Sequence, residues 1–248
     1  MSTPRKISCM VKGIIDHGEH VYTVDLKPTI PLPHFKPGQF LHLTVDDFDP
    51  SGFWPESRVF SIASSSMERK RLRISYSVKG KYTRKMEEAL KVGKTVWIKL
   101  PYGDFLIDSS EHVFLIAGGT GISAFCAFLD SLPPQHTNRV TLVYGARSPD
   151  LHIYREEILG KASSCPHFQA AFFSETGWPV SGPIGELSSG AIRHRDGKLD
   201  LDCIWAMFPD AGASTFYLSG PPAMLSALSI GLKDRGIPQE RVRTDAWE

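Results

Sequence analysis

Three short runs in this chain carry groups able to do chemistry. Gly119-Thr120-Gly121-Ile122-Ser123-Ala124 is a G-x-G-x-x-A arrangement that follows an apolar run and opens an apolar helical stretch. Glycines so spaced let backbone N–H groups approach a phosphate closely, while the helix N-terminus supplies partial positive charge. A tight chain reversal would use the same residues, so the weight lies in the position between strand and helix. No acidic residue stands near the end of the next strand, where the sequence reads Tyr144-Gly145-Ala146-Arg147, which counts against an ordinary dehydrogenase.

Arg58-Val59-Phe60-Ser61 offers a guanidinium fork for a phosphate, an aromatic face for a flat heterocycle and a hydroxyl for a ring nitrogen. An amphipathic strand would read the same way. Gly80-Lys81-Tyr82-Thr83-Arg84 places Thr83 as an N-cap, so free N–H groups could hold a pyrophosphate or simply begin a helix.

The elements that must position these runs divide near residue 110. Before it, apolar residues alternate in Val21–Leu26, Gln39–Leu43, Arg58–Ile62 and Leu72–Tyr76, with Pro37-Gly38, Gly93 and Pro101 as breaks. Such runs predict antiparallel strands closing into a small barrel, interrupted by one helix over Thr83–Lys91 with Met86 and Leu90 on its apolar face. After it come the continuous apolar run Val113–Ala117, a helix over Ser123–Leu132, a strand over Val140–Tyr144 and a helix near Tyr154–Leu159. The strand Phe168–Phe173, and Thr215–Leu218 feeding a helix over Pro222–Leu232, complete the series. Continuous apolar strands separated by helices predict a doubly wound parallel sheet. The expected domains are therefore 1–108, a barrel, and 109–248, an α/β domain. Glu175 to Gly212, rich in Gly, Ser and Pro, reads as a long excursion with a short helix at Asp202–Met207.

Composition excludes several classes. The 248 residues suit two domains, and 42% hydrophobic with 22% charged residues exclude disorder as the whole description. Twenty-eight Lys+Arg against 27 Asp+Glu give +1, too little for steering toward nucleic acid. No stretch approaches the ~20 apolar residues of a membrane span, and Met1–Gly13 lacks a signal peptide's apolar centre, so a cytoplasmic protein is expected. Cys9, Cys126, Cys165 and Cys203 lie far apart, and the nine histidines, beyond the pair His17 and His20, lack ligand spacing. No metal is therefore expected.

Together, and in this order, the motifs resemble the ferredoxin–NADP reductase family of flavoproteins over nearly the whole chain. Arg58-Val59-Phe60-Ser61 is similar to its R-x-Y-S flavin motif, Gly80–Thr83 to its flavin pyrophosphate loop, and Pro101-Tyr102-Gly103-Asp104-Phe105 to the P-x-G-x-F that ends its barrel. Gly118–Ser123 resembles G-G-T-G-I-[ST], Tyr144–Arg147 resembles Y-G-x-R, and Ser219-Gly220-Pro221-Pro222-Ala223-Met224 resembles C-G-P-P-x-M. The resemblance implies a flavin-binding barrel, a nicotinamide-nucleotide domain and an active site between them. Phe60 keeps a stacking face but loses the family's tyrosine hydroxyl, and Ser219 replaces a thiol beside the nicotinamide, which implies slower chemistry. Ala124 replaces a proline without chemical consequence.

The same resemblance places Ser174 and Glu175 at the adenosine ribose. Glu175, standing where NADP-specific members carry arginine, favours NADH, while Arg147 and Arg155 leave NADPH open. Trp247 and Asp245 resemble the family's C-terminal aromatic over the flavin and the acidic residue two positions before it; a tryptophan pinned on the surface is the alternative. FAD is preferred to FMN because Gly80–Thr83 suits a second phosphate and Tyr76 or Tyr82 could stack on adenine. The implied reaction passes hydride from NADH to flavin N5, with Ser61 beside N5 and Ser219 beside the nicotinamide, and then electrons to a separate acceptor: a ferredoxin, an oxygenase component, a haem protein, or a free quinone or flavin. Gly185–Ser214 is the expected partner contact. The alternatives are a flavin-binding interaction subunit with little turnover and a nucleotide dehydrogenase without flavin.

Overall fold

The computed structural model describes residues 3–178 and 191–245. Two six-stranded sheets organise the described residues. Met1–Leu106 together with Ser123–Ser131 form one compact unit, and Ile107–Ile122 together with Leu132–Glu248 form the other.

In the first unit the strands are β1 (Arg5–Asp16), β2 (Val21–Pro28), β3 (Phe40–Thr44), β4 (Arg58–Ser61), β5 (Leu72–Ser77) and β6 (Thr95–Tyr102). They pair antiparallel in the order β4-β3-β6-β1-β2-β5. The two edges approach each other where Phe60 of β4 meets Tyr76 of β5, ring centroids 6.2 Å apart, and where Ala63 N–H donates to the Arg73 carbonyl. Alternation fills the interior with Ile7, Cys9 and Val11, Val24 and Leu26, Ile74 and Tyr76, and Val96, Ile98 and Leu100. Helix α1 (Lys81–Ala89) closes the barrel by burying Tyr82 and Met86. It starts two residues before the expected Thr83, because Gly80 is the N-cap; the Thr83 hydroxyl, three positions inside, accepts from the N–H groups of Lys79 and Gly80.

The second unit is built on β7 (Val113–Gly118), β8 (Val140–Ala146), β9 (Phe168–Ser174), β10 (Ile192–Asp196), β11 (Thr215–Ser219) and β12 (Val242–Thr244). All pair parallel, in the order β10-β9-β8-β7-β11-β12. Helix α2 (Ser123–Ser131) connects β7 to β8, and α3 (Arg155–Ser164), α4 (Leu201–Met207) and α5 (Pro222–Asp234) follow in chain order. Every residue of β7 is buried, which accounts for its unbroken apolar run. The expected excursion is corrected from residue 192 on, since β10 joins the sheet and a 3-10 turn at Pro209–Ala213 joins the core, while the short helix expected at Asp202–Met207 is α4, one residue longer. The rest of the expected partner segment, 185–190, lies outside the described residues. No described helix is long and apolar enough to cross a membrane.

Candidate functional site

In the second unit the chain leaves β7 for β8 on one side and later returns as β11 on the other. The carboxyl ends of β7 and β11 therefore form the topological switch point, where open α/β sheets place their ligands. Both glycine-bearing loops sit there. Gly119–Ile122 makes a 3-10 turn running into α2, and Ser219-Gly220-Pro221 leads into α5, whose first turn carries no acidic residue. A Cβ on Gly121 would lie 2.4 Å from the Ser219 carbonyl oxygen and 2.7 Å from the Gly220 nitrogen. Gly220 adopts φ +152°, and a Cβ there would lie 2.6 Å from the Met224 methyl. The loops are thus seated backbone against backbone, and Met224 and Pro221 pack on Gly118. Gly119, at φ +53°, faces open space and keeps its backbone accessible, while Thr120 is half-buried. Ser219, 3% exposed, donates its hydroxyl to Asp245 Oδ2 at 3.1 Å, and Asp245 N–H donates to the Leu218 carbonyl at 2.8 Å. Two expected site residues are thereby joined; the third, Trp247, lies outside the described residues.

Farther along the same edge, β8 and β9 end side by side. Glu175 N–H donates to the Ala146 carbonyl and Thr176 N–H to the Arg147 carbonyl. Arg147 and Glu175 are exposed, and the Glu175 carboxylate stands 3.8 Å from Lys198 Nζ. Ser174 corrects an expectation: as the last residue of β9 it lies between Ala146 and Asp196 in the ladder and is wholly buried. Its hydroxyl has no hydrogen-bond partner and cannot reach out to a ribose. Sequence reasoning also missed His152. Its Nε2 donates between the Tyr144 carbonyl at 3.2 Å and the Phe173 carbonyl at 3.1 Å, tying β8 to β9, and its ring stacks on Trp178. Burial holds its pKa down at about 4, so the imidazole is neutral near pH 7. No local signal marks it, since its partners come from three separate segments.

In the first unit, Arg58 lies over the Tyr82 ring, 4.6 Å from its centroid, and so stands at the first turn of α1. That turn is suited to a phosphate. It has no acidic residue, the N–H groups of Lys81 and Tyr82 have no partner within the helix, and no atom lies within 4 Å of where a Gly80 Cβ would stand. Val59 and Ser61 are half-buried, and Ser61 faces Phe40 in the ladder.

Three aromatic expectations are corrected here. Tyr76, 3% exposed, is stacked on Tyr22 and edge-on to Phe60, so its ring is core and has no face for adenine. Tyr82 is equally buried, with its hydroxyl donating to the Glu56 carbonyl at 3.0 Å and its face taken by Arg58. Phe60 packs into the barrel core and presents little beyond an edge, because its position in β4 points the ring inward toward Tyr76.

The oxidoreductase NAD-binding domain family matches residues 115–229. A flavohemoprotein of Deinococcus radiodurans is 28% identical over 221 residues, which cover 87% of this chain and 52% of that protein. The reductase component of propane 2-monooxygenase from Rhodococcus jostii is 30% identical over 250 residues, covering 98% of this chain and 62% of that one. The chain thus spans between about half and two thirds of these relatives. The flavohem-like FAD/NAD-binding domain of nitric oxide dioxygenase from Vibrio cholerae shares the fold with a TM-score of 0.78 at 20% identity, over 96% of this chain and 97% of that domain. Over nearly its whole length the chain is thus similar to the reductase component above, and it shares the fold of the FAD/NAD-binding domain.

Proposed function

We propose that this chain is an FAD-dependent NAD(P)H reductase that passes electrons to a separate acceptor, with residues 1–108 as its flavin domain and 109–248 as its nucleotide domain. The observation that carries the reading is the meeting of Arg58, from β4, with the first turn of α1. A nucleotide dehydrogenase without flavin has no use for a second phosphate site in its barrel. The chemistry a bound flavin supplies is acceptance of a hydride from NADH, two electrons with one proton, and release of those electrons singly.

The chain's own residues bind and orient. Arg58 and the N–H groups of Lys81 and Tyr82 hold the flavin phosphates, with Lys81 adding charge, and Ser61 addresses the ring. Gly119–Gly121 and the start of α5 hold the nucleotide pyrophosphate. Ser219, its proton committed to Asp245, is left with acceptor lone pairs for the nicotinamide. Glu175 accepts from ribose hydroxyls and disfavours a 2′-phosphate, which supports NADH. Electrons pass to an oxygenase component or a haem protein, the acceptors the relatives named above suggest, or to a ferredoxin. The same reading takes the protein as cytoplasmic. Ser219 in place of a thiol favours a second reading, a flavin-binding interaction subunit with little turnover.

Replacing Arg58 with alanine tests the assignment. The variant is expected to lose most of its flavin on purification, and full retention would remove Arg58 from the phosphate site.

A further inference from the structure

The Arg58 guanidinium is already engaged. Its Nη2 lies 3.0 Å from Glu56 Oε1, and its Nη1 donates to the Ser57 carbonyl at 2.9 Å. The pair is local, two residues apart, and it is anchored, because the Tyr82 hydroxyl donates to the Glu56 carbonyl while the Tyr82 ring lies beneath Arg58. Lys85, also over that ring, is paired with Asp46. A carboxylate and a phosphate compete for the same planar fork of donors. Resting on the flavin reading above, we propose that Glu56 is an internal counter-anion that a flavin phosphate must displace from Arg58, so that Glu56 sets the affinity and release rate of the flavin.

The displaced carboxylate then stands near the incoming phosphate, a like-charge contact that also loosens the bound state. Glu56 and Arg58 are both substantially exposed, so the pair is worth little in stability and its removal leaves the fold intact. An exposed pair of this kind corresponds to about a two- to fivefold change in an equilibrium constant.

The experiment titrates flavin-free full-length protein with FAD by fluorescence quenching, and with riboflavin, which has the ring but no phosphate. Glu56→Gln is expected to tighten FAD about two- to fivefold and slow its release. Riboflavin affinity should stay unchanged, and in an Arg58→Ala background the effect should shrink to the residual like-charge part. An unchanged or weakened FAD affinity in Glu56→Gln would overturn the proposal. So would an equal gain for riboflavin or an equal gain without Arg58, since either would mean a general charge effect. Arg58→Ala with unchanged FAD affinity would instead overturn the phosphate assignment itself, which separates the two failures.

Discussion

Replacing Gly121 with alanine probes the seating of the two loops at the switch point. The added Cβ would stand 2.4 Å from one backbone atom and 2.6 and 2.7 Å from two more, all in the Ser219–Gly220 peptide, with no flexible side chain to move aside. Restoring an ordinary contact of ~3.5 Å requires the loops to part by about 1 Å. Overpacking of this kind costs about 1–3 kcal/mol. For a chain of this length that lowers the melting temperature by roughly 2–12 °C, at about 2–4 °C per kcal/mol. The same displacement moves Ser219, and a misplacement near 1 Å at a reacting centre can cost on the order of a hundredfold in rate. The assay is a thermal melt by circular dichroism together with NADH-dependent reduction of a dye. Gly160, in α3 with no atom within 4 Å of a Cβ, is the control. Its replacement by alanine should stabilise by about 0.5–1 kcal/mol. A Gly121→Ala protein that melts with the wild type and keeps its rate would refute the packing account.

Other perturbations follow from the same edge. Glu175→Arg should move the ratio of kcat/KM for NADPH over NADH upward, because the carboxylate that would repel a 2′-phosphate becomes a cation; an unchanged ratio would count against Glu175 at the ribose. His152 is held neutral with its pKa near 4, below the ~6.5 of an unfolded chain. Its contribution is therefore complete above pH 6.5 and declines as pH falls toward 4, by about 3 kcal/mol in total at ~1.4 kcal/mol per unit. Urea denaturation from pH 7 to 4.5, compared with His152→Gln, should show a steeper loss in the wild type, and parallel curves would rule the imidazole out.

What the sequence revealed and what it hid divide along physical lines. Gly118–Ser123 and Ser219–Met224 were legible because glycine and proline report backbone demands that do not depend on distant partners: the turn, the close approach and the helix start are all local. Strand β10 was not, because Ile192-Arg193-His194-Arg195-Asp196 is a polar edge strand whose pairing with β9 leaves most of its side chains in or near water. Strand β1 hides for another reason, since a register shift between Val11 and Gly13 breaks its alternation. At the candidate flavin site, residue types were read correctly as aromatic, but their direction was not. Tyr76 and Phe60 sit at inward positions of strands whose edges meet, so the barrel interior claims rings that the motif alone assigned to a ligand. The Arg58–Glu56 pair lay in plain view at i, i+2, yet only the Tyr82 ring and hydroxyl show what holds it together.

The most direct test of the central claim is the visible absorbance of the purified protein under anaerobic conditions, before and after one equivalent of NADH, with NADPH in a parallel cuvette. The account predicts flavin absorption that bleaches within seconds, faster with NADH than with NADPH. Flavin absorption that persists in both cuvettes would contradict the reductase and leave a flavin-binding subunit. A colourless protein that takes up no added FAD would contradict the flavin site itself.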